Sequence, residues 1–294
     1  MEYSIISGEK LQYLCDCYIG YKNMFQSNYH TYNKTLYENK IIYSENIKDN
    51  DLLLTSNKIF IYTELLFNLD NTKTLIYDSI LCELMKKENN FIIVLHNSDM
   101  HICDDIIEYF EKTKCQKIFT QNLNIIHNKI QYLPIGIANR KWMHGNKELL
   151  NNIMIKNIKK DNKTFFNFNI GTNPKIRNIC YNSLKNKIKF TSIIQNQKNY
   201  LETLSNCKFC IVPQGHGFDT HRLWECFYLK VIPICIRNTF TEIIYNDFPC
   251  MYLINDWSEI NFNLIYEYYD SYIKKLDNSK LDFSYWKNLI LKDR

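Results

Sequence analysis

Between residues 163 and 255 the chain alternates short, continuously apolar runs with amphipathic stretches, and few folds accept that pattern. "KTFFNFNI" reads as a strand, "NPKIRNICYNSLKN" as a helix, "KIKFTSI" as a strand and "QKNYLETLSNC" as a helix, followed by "KFCIVP", "THRLWECFYLK", "VIPICI", "TFTEIIYN" and "CMYLIN". A strand that is apolar at every position, rather than at every second one, must be covered on both faces. That is the situation of a parallel sheet with helices above and below it. Right-handed crossovers then make a doubly wound, Rossmann-like unit from about residue 160 to 255.

The first half uses the same device less regularly. "LIYDSILCELMKKENN" has helical period and feeds the apolar run "FIIVLHNSD"; "CDDIIEYFEKTK" carries two acids in its first turn, where the helix dipole favours them. "KIFTQN" and "KIQYLPIG" read as further strands. The expected class is α/β: two Rossmann-like domains facing each other across a cleft. The expected domains are residues 1–155 and 156–265, with terminal helices in 266–294 and a linker in "KNIKKDNK", residues 156–163. In open α/β sheets ligands bind beyond the carboxyl ends of the strands, so motifs that directly follow a strand matter most.

Composition narrows the field. With 46% hydrophobic and 15% aromatic residues among 294, the chain can bury a large core, and it lacks the signature of disorder. A net charge of +5 without a dense basic run does not point to nucleic acid. The eleven cysteines are scattered. The close pairs Cys15/Cys17 and Cys207/Cys210 have no second pair to complete a zinc tetrahedron, so they read as buried thiols and no metal is expected. No basic, apolar leader opens the chain, and no run approaches the roughly 20 apolar residues of a membrane span. A cytoplasmic protein with reduced thiols is the expectation.

Two of the seven glycines and two of the seven histidines fall in "PQGHGFDTHRLWE", residues Pro213 to Glu225, between two apolar strands. Asp219 or Thr220 can cap the helix that follows. Gly215 and Gly217 allow a sharp turn and close approach of a ligand to the backbone. Free N–H groups at the helix start form an anion site. Arg222 opposes the macrodipole in the first helical turn, a cost that a bound phosphate would offset. Glu225, three residues on, shares its face and can accept from ribose hydroxyls. The alternative is a capped helix bearing an intrahelical Arg–Glu pair. The stretch is neither a Walker loop nor a dinucleotide fingerprint, which argues against a kinase and against an NAD enzyme.

"FCIVPQGHGFDTHRLWECFYLKVIPICI" resembles the donor-binding segment of exostosin-like glycosyltransferases of the GT-B fold, with its Pro-x-Gly-x-Gly loop, Arg-Leu-Trp-Glu helix start and "IPI" strand. "HNSD", residues 96–99, and "LPIGIANRKWMHGN", residues 133–146, are similar to the same group. The first 90 residues carry none of the resemblance. It implies transfer of a sugar from a nucleotide-sugar, a UDP-sugar by the habit of the family, with inversion and without an essential metal or other cofactor. It implies a donor site drawing on Gln214, Gly215, His216, Gly217, Asp219, Thr220, His221, Arg222 and Glu225, and an acceptor side with Asn97, Asn139, Trp142 and His144. Lys230 departs from it, standing where glycine is usual before the "IPI" strand.

Three more stretches bear on the chemistry. His96 and Asp99 directly follow "FIIVL", and either could take the proton of an acceptor hydroxyl; equally, Asp99 could cap the next helix. Arg177, early in a helix that follows a strand, repeats the placement of Arg222 and is either a second diphosphate contact or a surface arginine. Asp49 and Asp51 form an Asp-x-Asp that precedes a strand instead of following one, and it reads as a turn. The expected partners are therefore a nucleotide-sugar donor and a glycan or other hydroxyl acceptor. The alternatives are a fucosyltransferase-like enzyme using a GDP-sugar, or a non-catalytic binder of nucleotides or sugars.

Overall fold

The computed structural model describes residues 4–26, 38–67, 75–140, 142–156, 158–191 and 196–292. They form an α/β protein with two wholly parallel sheets. Six strands, β1 (Cys17–Gly20), β2 (Ile41–Tyr43), β3 (Lys58–Tyr62), β4 (Phe91–His96), β5 (Cys115–Thr120) and β6 (Ile130–Tyr132), lie in the order β2-β1-β3-β4-β5-β6. Four more, β7 (Asp161–Phe165), β8 (Cys207–Ile211), β9 (Ile232–Ile236) and β10 (Tyr252–Ile254), lie in the order β10-β9-β8-β7. The chain divides into two compact units: residues 7–135 with 286–294 around the larger sheet, and residues 1–6 with 136–285 around the smaller.

In the six-stranded unit every residue of β4 is buried, as its unbroken apolar run requires. Three of the six strands come from the first 62 residues, where the sequence pattern announced none. β1 and β2 span only four and three residues, too few for periodicity to register. Strand order reverses between β1 and β3, which makes the carboxyl ends of those two strands the switch point of this sheet. Residues 286–294 join this unit: the buried Trp286 of helix Phe283–Lys292 packs edge-on against Tyr132, 6.0 Å between centroids.

In the four-stranded unit Phe209, Ile211, Ile232 and Ile234 of the central strands pack with Phe166, Cys180, Leu184 and Trp257 in one apolar cluster. The division between units falls at 135/136, not at the expected 155/156. Helix Lys147–Ile155 lies with the smaller sheet and is tied to helix Gln197–Ser205 by an ion pair, Lys156 Nζ to Glu202 Oε1 at 3.1 Å. The expected linker is also partly strand, since β7 begins at Asp161. It reads as polar because β7 is an edge strand whose residues 161–163 face solvent, where charge discourages further pairing.

"KIKFTSI" does not become a strand over its described residues; residues 192 and 193 lie outside them. One ladder-like bond forms, Thr191 N–H to Phe166 O at 2.8 Å. The Asn167 side-chain amide then takes the Thr191 carbonyl at 2.9 Å and ends the ladder. Phe190 is used instead as packing, edge-on to Phe166 at 4.9 Å and to Tyr181 at 5.2 Å.

Candidate functional site

β8 delivers the chain into the loop 212–220, and helix His221–Tyr228 leaves it. Thr220 occupies the N-cap position with extended backbone, yet its side chain makes no capping bond. Asp219, the other expected cap, is 3% exposed and its carboxylate accepts from the Trp224 indole N–H at 2.9 and 3.2 Å. That corrects its assignment to the donor: burying an indole N–H requires an acceptor, and Asp219 supplies it. Neither Gly215 nor Gly217 has positive φ, so the sharp-turn argument fails for both. Gly215 lies close to Arg177, though a side chain there would meet it at ordinary contact distance. A Cβ there would stand 3.4 Å from Arg177 Nη2, and the Gly215 carbonyl accepts from Asn173 Nδ2 at 2.8 Å. His216 is exposed, and Gly217 is buried.

The two arginines come together. Arg177 sits in the first turns of helix Pro174–Leu184, capped by Asn173, whose side chain accepts from Ile176 N–H at 3.3 Å. Its Nε donates to Gln214 O at 3.0 Å, its Nη1 to Asn169 O at 2.7 Å, and its guanidinium lies 5.6 Å from the centre of the Phe168 ring. Arg222 donates through Nε to the Tyr200 hydroxyl at 3.1 Å and through Nη1 to Asn167 O. The Phe165 and Tyr200 rings flank it, 5.8 and 5.5 Å from its guanidinium carbon. Burial, and then the positive charge of Arg222, push the Arg177 pKa down to about 10. It remains a cation at neutral pH, but one held against a neighbouring cation. Among the described residues neither Nη2 makes a hydrogen bond, so both forks keep donors for a ligand.

Glu225 does not pair directly with Arg222, as helical spacing suggested. The Tyr200 hydroxyl stands between them, donating to Glu225 Oε2 at 2.6 Å while accepting from Arg222. Glu225 is 5% exposed, and burial raises its pKa against the opposing effects of Tyr200 and Arg222. A carboxylate so held is not presented to a ribose; that part of the expectation is corrected to a support for Arg222. Nothing local foretold Tyr200 or the Asn167 carbonyl. They lie 22 or more positions from Arg222, on other elements, and only the tertiary fold brings them in.

A second group forms in the same unit. Trp142, 52% exposed, stacks on His144 with centroids 6.2 Å apart and planes at 17°. The His144 ring lies 6.0 Å from His221, and burial lowers the His144 pKa. His221 Nδ1 is bonded to Gly136 O at 2.8 Å. Gly136 has φ +65°, and a Cβ there would stand 2.4 Å from Ile6 O, so no other residue fits. Asn139 closes the turn beneath this shelf, its carbonyl accepting from Trp142 N–H at 2.9 Å. Asn139, Trp142 and His144 thus belong to the unit that carries the arginines, not to the N-terminal domain expected for them.

In the six-stranded unit the turn after β4 is built on Asn97, at φ +60°, whose N–H donates to Gln121 Oε1 at 3.0 Å. His96 is fully buried, its Nε2 at 3.0 Å from Pro134 O and its Nδ1 at 3.2 Å from Asn97 Oδ1; burial pushes it down to about 4. It is a neutral structural histidine and is corrected as a candidate base. Asp99 is exposed. It does not cap the next helix either, since helix Asp104–Glu111 starts five positions later behind Cys103. The remaining acidic pair is a turn as read: Asp49 has φ +50° and an ion pair to Lys86 at 2.6 Å, and Asn50 caps helix Asp51–Thr55. Cys15, Cys17, Cys207 and Cys210 are all buried, and burial pushes Cys17 and Cys207 up to about 12.

A groove of about 470 Å³, lined by Met154, Lys160, Tyr228, Lys230 and Tyr269 among others, lies at the amino ends of β7–β9, away from the arginines. Lys160 there donates to the carbonyls of Ser205 and Leu229 at the ends of two helices, which accounts for a buried amine. Burial pushes it down to about 8.

No protein-family model matches the chain, and no curated protein matches it. Among solved structures it is similar to an alpha1,3-fucosyltransferase at 14% identity, covering 95% of this chain and 91% of that one, with a TM-score of 0.43. Among the described residues no helix is long and apolar enough to cross a membrane.

Proposed function

We propose that the protein is a glycosyltransferase of the GT-B kind that transfers a sugar from a nucleoside-diphosphate sugar, a UDP-sugar, to a hydroxyl acceptor with inversion. The observation that carries this is the arginine pair. Two guanidiniums, near enough that the charge of Arg222 lowers the pKa of Arg177, are held at the carboxyl end of a parallel sheet by backbone carbonyls and aromatic faces, and among the described residues each keeps its Nη2 donors for a ligand. Among the described residues Arg177 has no carboxylate partner, and Arg222 reaches Glu225 through Tyr200. A structure designed only for stability would separate these charges; an anionic diphosphate neutralises them.

In an inverting transfer, a base removes the acceptor hydroxyl proton as that oxygen bonds to the anomeric carbon. The bond from that carbon to the diphosphate breaks, and negative charge grows on the leaving phosphate oxygen. Fixed cations stabilise that charge without reorganisation. Arg177 and Arg222 take this role, so no metal ion is needed. With His96 buried and neutral, the base is assigned to Asp99. Trp142 stacked on His144 offers an apolar ring face to a sugar or a nucleobase.

Calorimetric titration with pyrophosphate, UDP and GDP tests the reading. Arg177→Ala and Arg222→Ala should each weaken all three diphosphates by roughly 10- to 150-fold, the loss of a charge-assisted contact. The ratio of UDP to GDP affinity separates the UDP-sugar reading from the fucosyltransferase-like one. Unchanged affinities in both variants would sink the donor site, and tight binding without turnover over many acceptors would leave a nucleotide or sugar binder.

A further inference from the structure

We infer that Tyr200 is a positioning residue for the diphosphate: its hydroxyl and ring set the orientation of Arg222, so that the arginine presents Nη2 to the ligand. This rests on the donor reading above and adds a residue to it that no motif contains.

Arg222 is a long side chain in the first turn of a helix, where the macrodipole repels its charge. Something must hold it there. Asn167 O takes one Nη1 donor, and the Tyr200 hydroxyl takes Nε. A backbone carbonyl at one corner leaves the planar fork free to swing about that bond. A second acceptor at Nε fixes the plane, and the Tyr200 and Phe165 rings on its flanks keep it from tilting. The hydroxyl is itself fixed, because its only proton is committed to Glu225 Oε2 at 2.6 Å. A hydroxyl whose proton is engaged must offer a lone pair to Arg222. Glu225, buried on the same helix, therefore acts on the arginine through Tyr200 and determines which way the hydroxyl points. The chain of contacts runs Glu225, Tyr200, Arg222, ligand.

A simple packing role for Tyr200 makes a different prediction. Tyr200 also meets Phe165 edge-on, 5.6 Å between centroids, and a phenylalanine would keep that contact. Tyr200→Phe should weaken pyrophosphate binding by roughly three- to tenfold, less than the loss of the arginine's own charge-assisted contact, because Arg222 stays in the site but is no longer fixed in one plane. In an Arg222→Ala background the same change should alter pyrophosphate affinity less than about 1.5-fold, because the group it positions is gone. Uridine, which has no phosphate, should bind alike to wild type and Tyr200→Phe.

If Tyr200→Phe folds poorly because Glu225 is left buried without its donor, Tyr200→Phe with Glu225→Gln removes that charge. The pyrophosphate loss should persist in the double variant. Wild-type pyrophosphate affinity in Tyr200→Phe or in the double variant overturns the inference, as does an equal loss in the Arg222→Ala background. If Arg222→Ala itself binds pyrophosphate normally, the donor site falls first and Tyr200 with it. Loss in Arg222→Ala but not in Tyr200→Phe sinks only the role given to Tyr200.

Discussion

Arg222 and Arg177 carry the same charge into the same site, but their removal should affect stability very differently. Arg177→Ala frees the carbonyls of Gln214 and Asn169, both near solvent, and ends a repulsion with Arg222. Two solvent-accessible bonds lost against a repulsion relieved should cost about 1 kcal/mol. Arg222→Ala leaves Glu225, 5% exposed, without its counter-charge and Tyr200 without its donor. Breaking a buried ion pair by removing one partner costs about 3–5 kcal/mol. Here the partners meet through a hydroxyl, so the lower end, about 3 kcal/mol, is expected. Arg222→Ala with Glu225→Gln should recover most of it, since no buried charge remains.

The pH dependence has a definite sign. The Glu225 carboxyl is raised above its ordinary range in the folded protein, and more so once Arg222 is gone. A raised folded pKa means the native state holds the proton more tightly than the unfolded chain. Stability therefore rises as pH falls from the raised value toward the ordinary glutamate value. The Arg222→Ala deficit should shrink in acid and the double variant should not follow it. Urea unfolding of wild type and the three variants between pH 4.5 and 8, read as midpoint and slope, measures this. If Arg222→Ala is no more destabilising than Arg177→Ala, or if its deficit is flat with pH, the buried-charge account of the Glu225–Tyr200–Arg222 chain is wrong.

Lys230 adopts φ +55° directly after helix His221–Tyr228, a region that costs an L-residue roughly 1–2 kcal/mol. Lys230→Gly should therefore stabilise by up to about 1 kcal/mol after the added freedom of the unfolded glycine is subtracted; thermal unfolding shows it, and a lower Tm refutes it. Asp99→Asn should cut turnover by roughly 10²–10⁴-fold with pyrophosphate affinity unchanged; full activity in that variant removes Asp99 as base. In the proposed donor site the arginines neutralise the diphosphate in place of a metal, so excess chelator should leave turnover intact. Loss in EDTA restored by manganese would overturn that.

How far the sequence alone reached follows from which signals are local. The strands β4, β5, β8 and β9 were legible because burial on both faces writes itself into consecutive residues. Helix His221–Tyr228 and the like placement of Arg177 and Arg222 were legible for a related reason: a helix that follows a strand in this architecture starts at the carboxyl end of the sheet. The sequence leaves open whether Arg177 meets a ligand or solvent. β1 and β2 were not legible, since three or four residues hold no period, and "KIKFTSI" misled because an apolar run satisfied by packing looks like one satisfied by a ladder. Lys230 was noticed as a departure from glycine, but its left-handed backbone needed coordinates. The tertiary structure alone decided who partners whom. Asp219 turned to Trp224, His96 went into the core, Trp142 and His144 joined the smaller sheet, and Tyr200 came between Arg222 and Glu225. Hydrogen bonds and ion pairs act over about 3 Å in space, with no regard for separation along the chain. Residues 22 or 55 positions apart can therefore settle what a side chain does, and no local pattern records it.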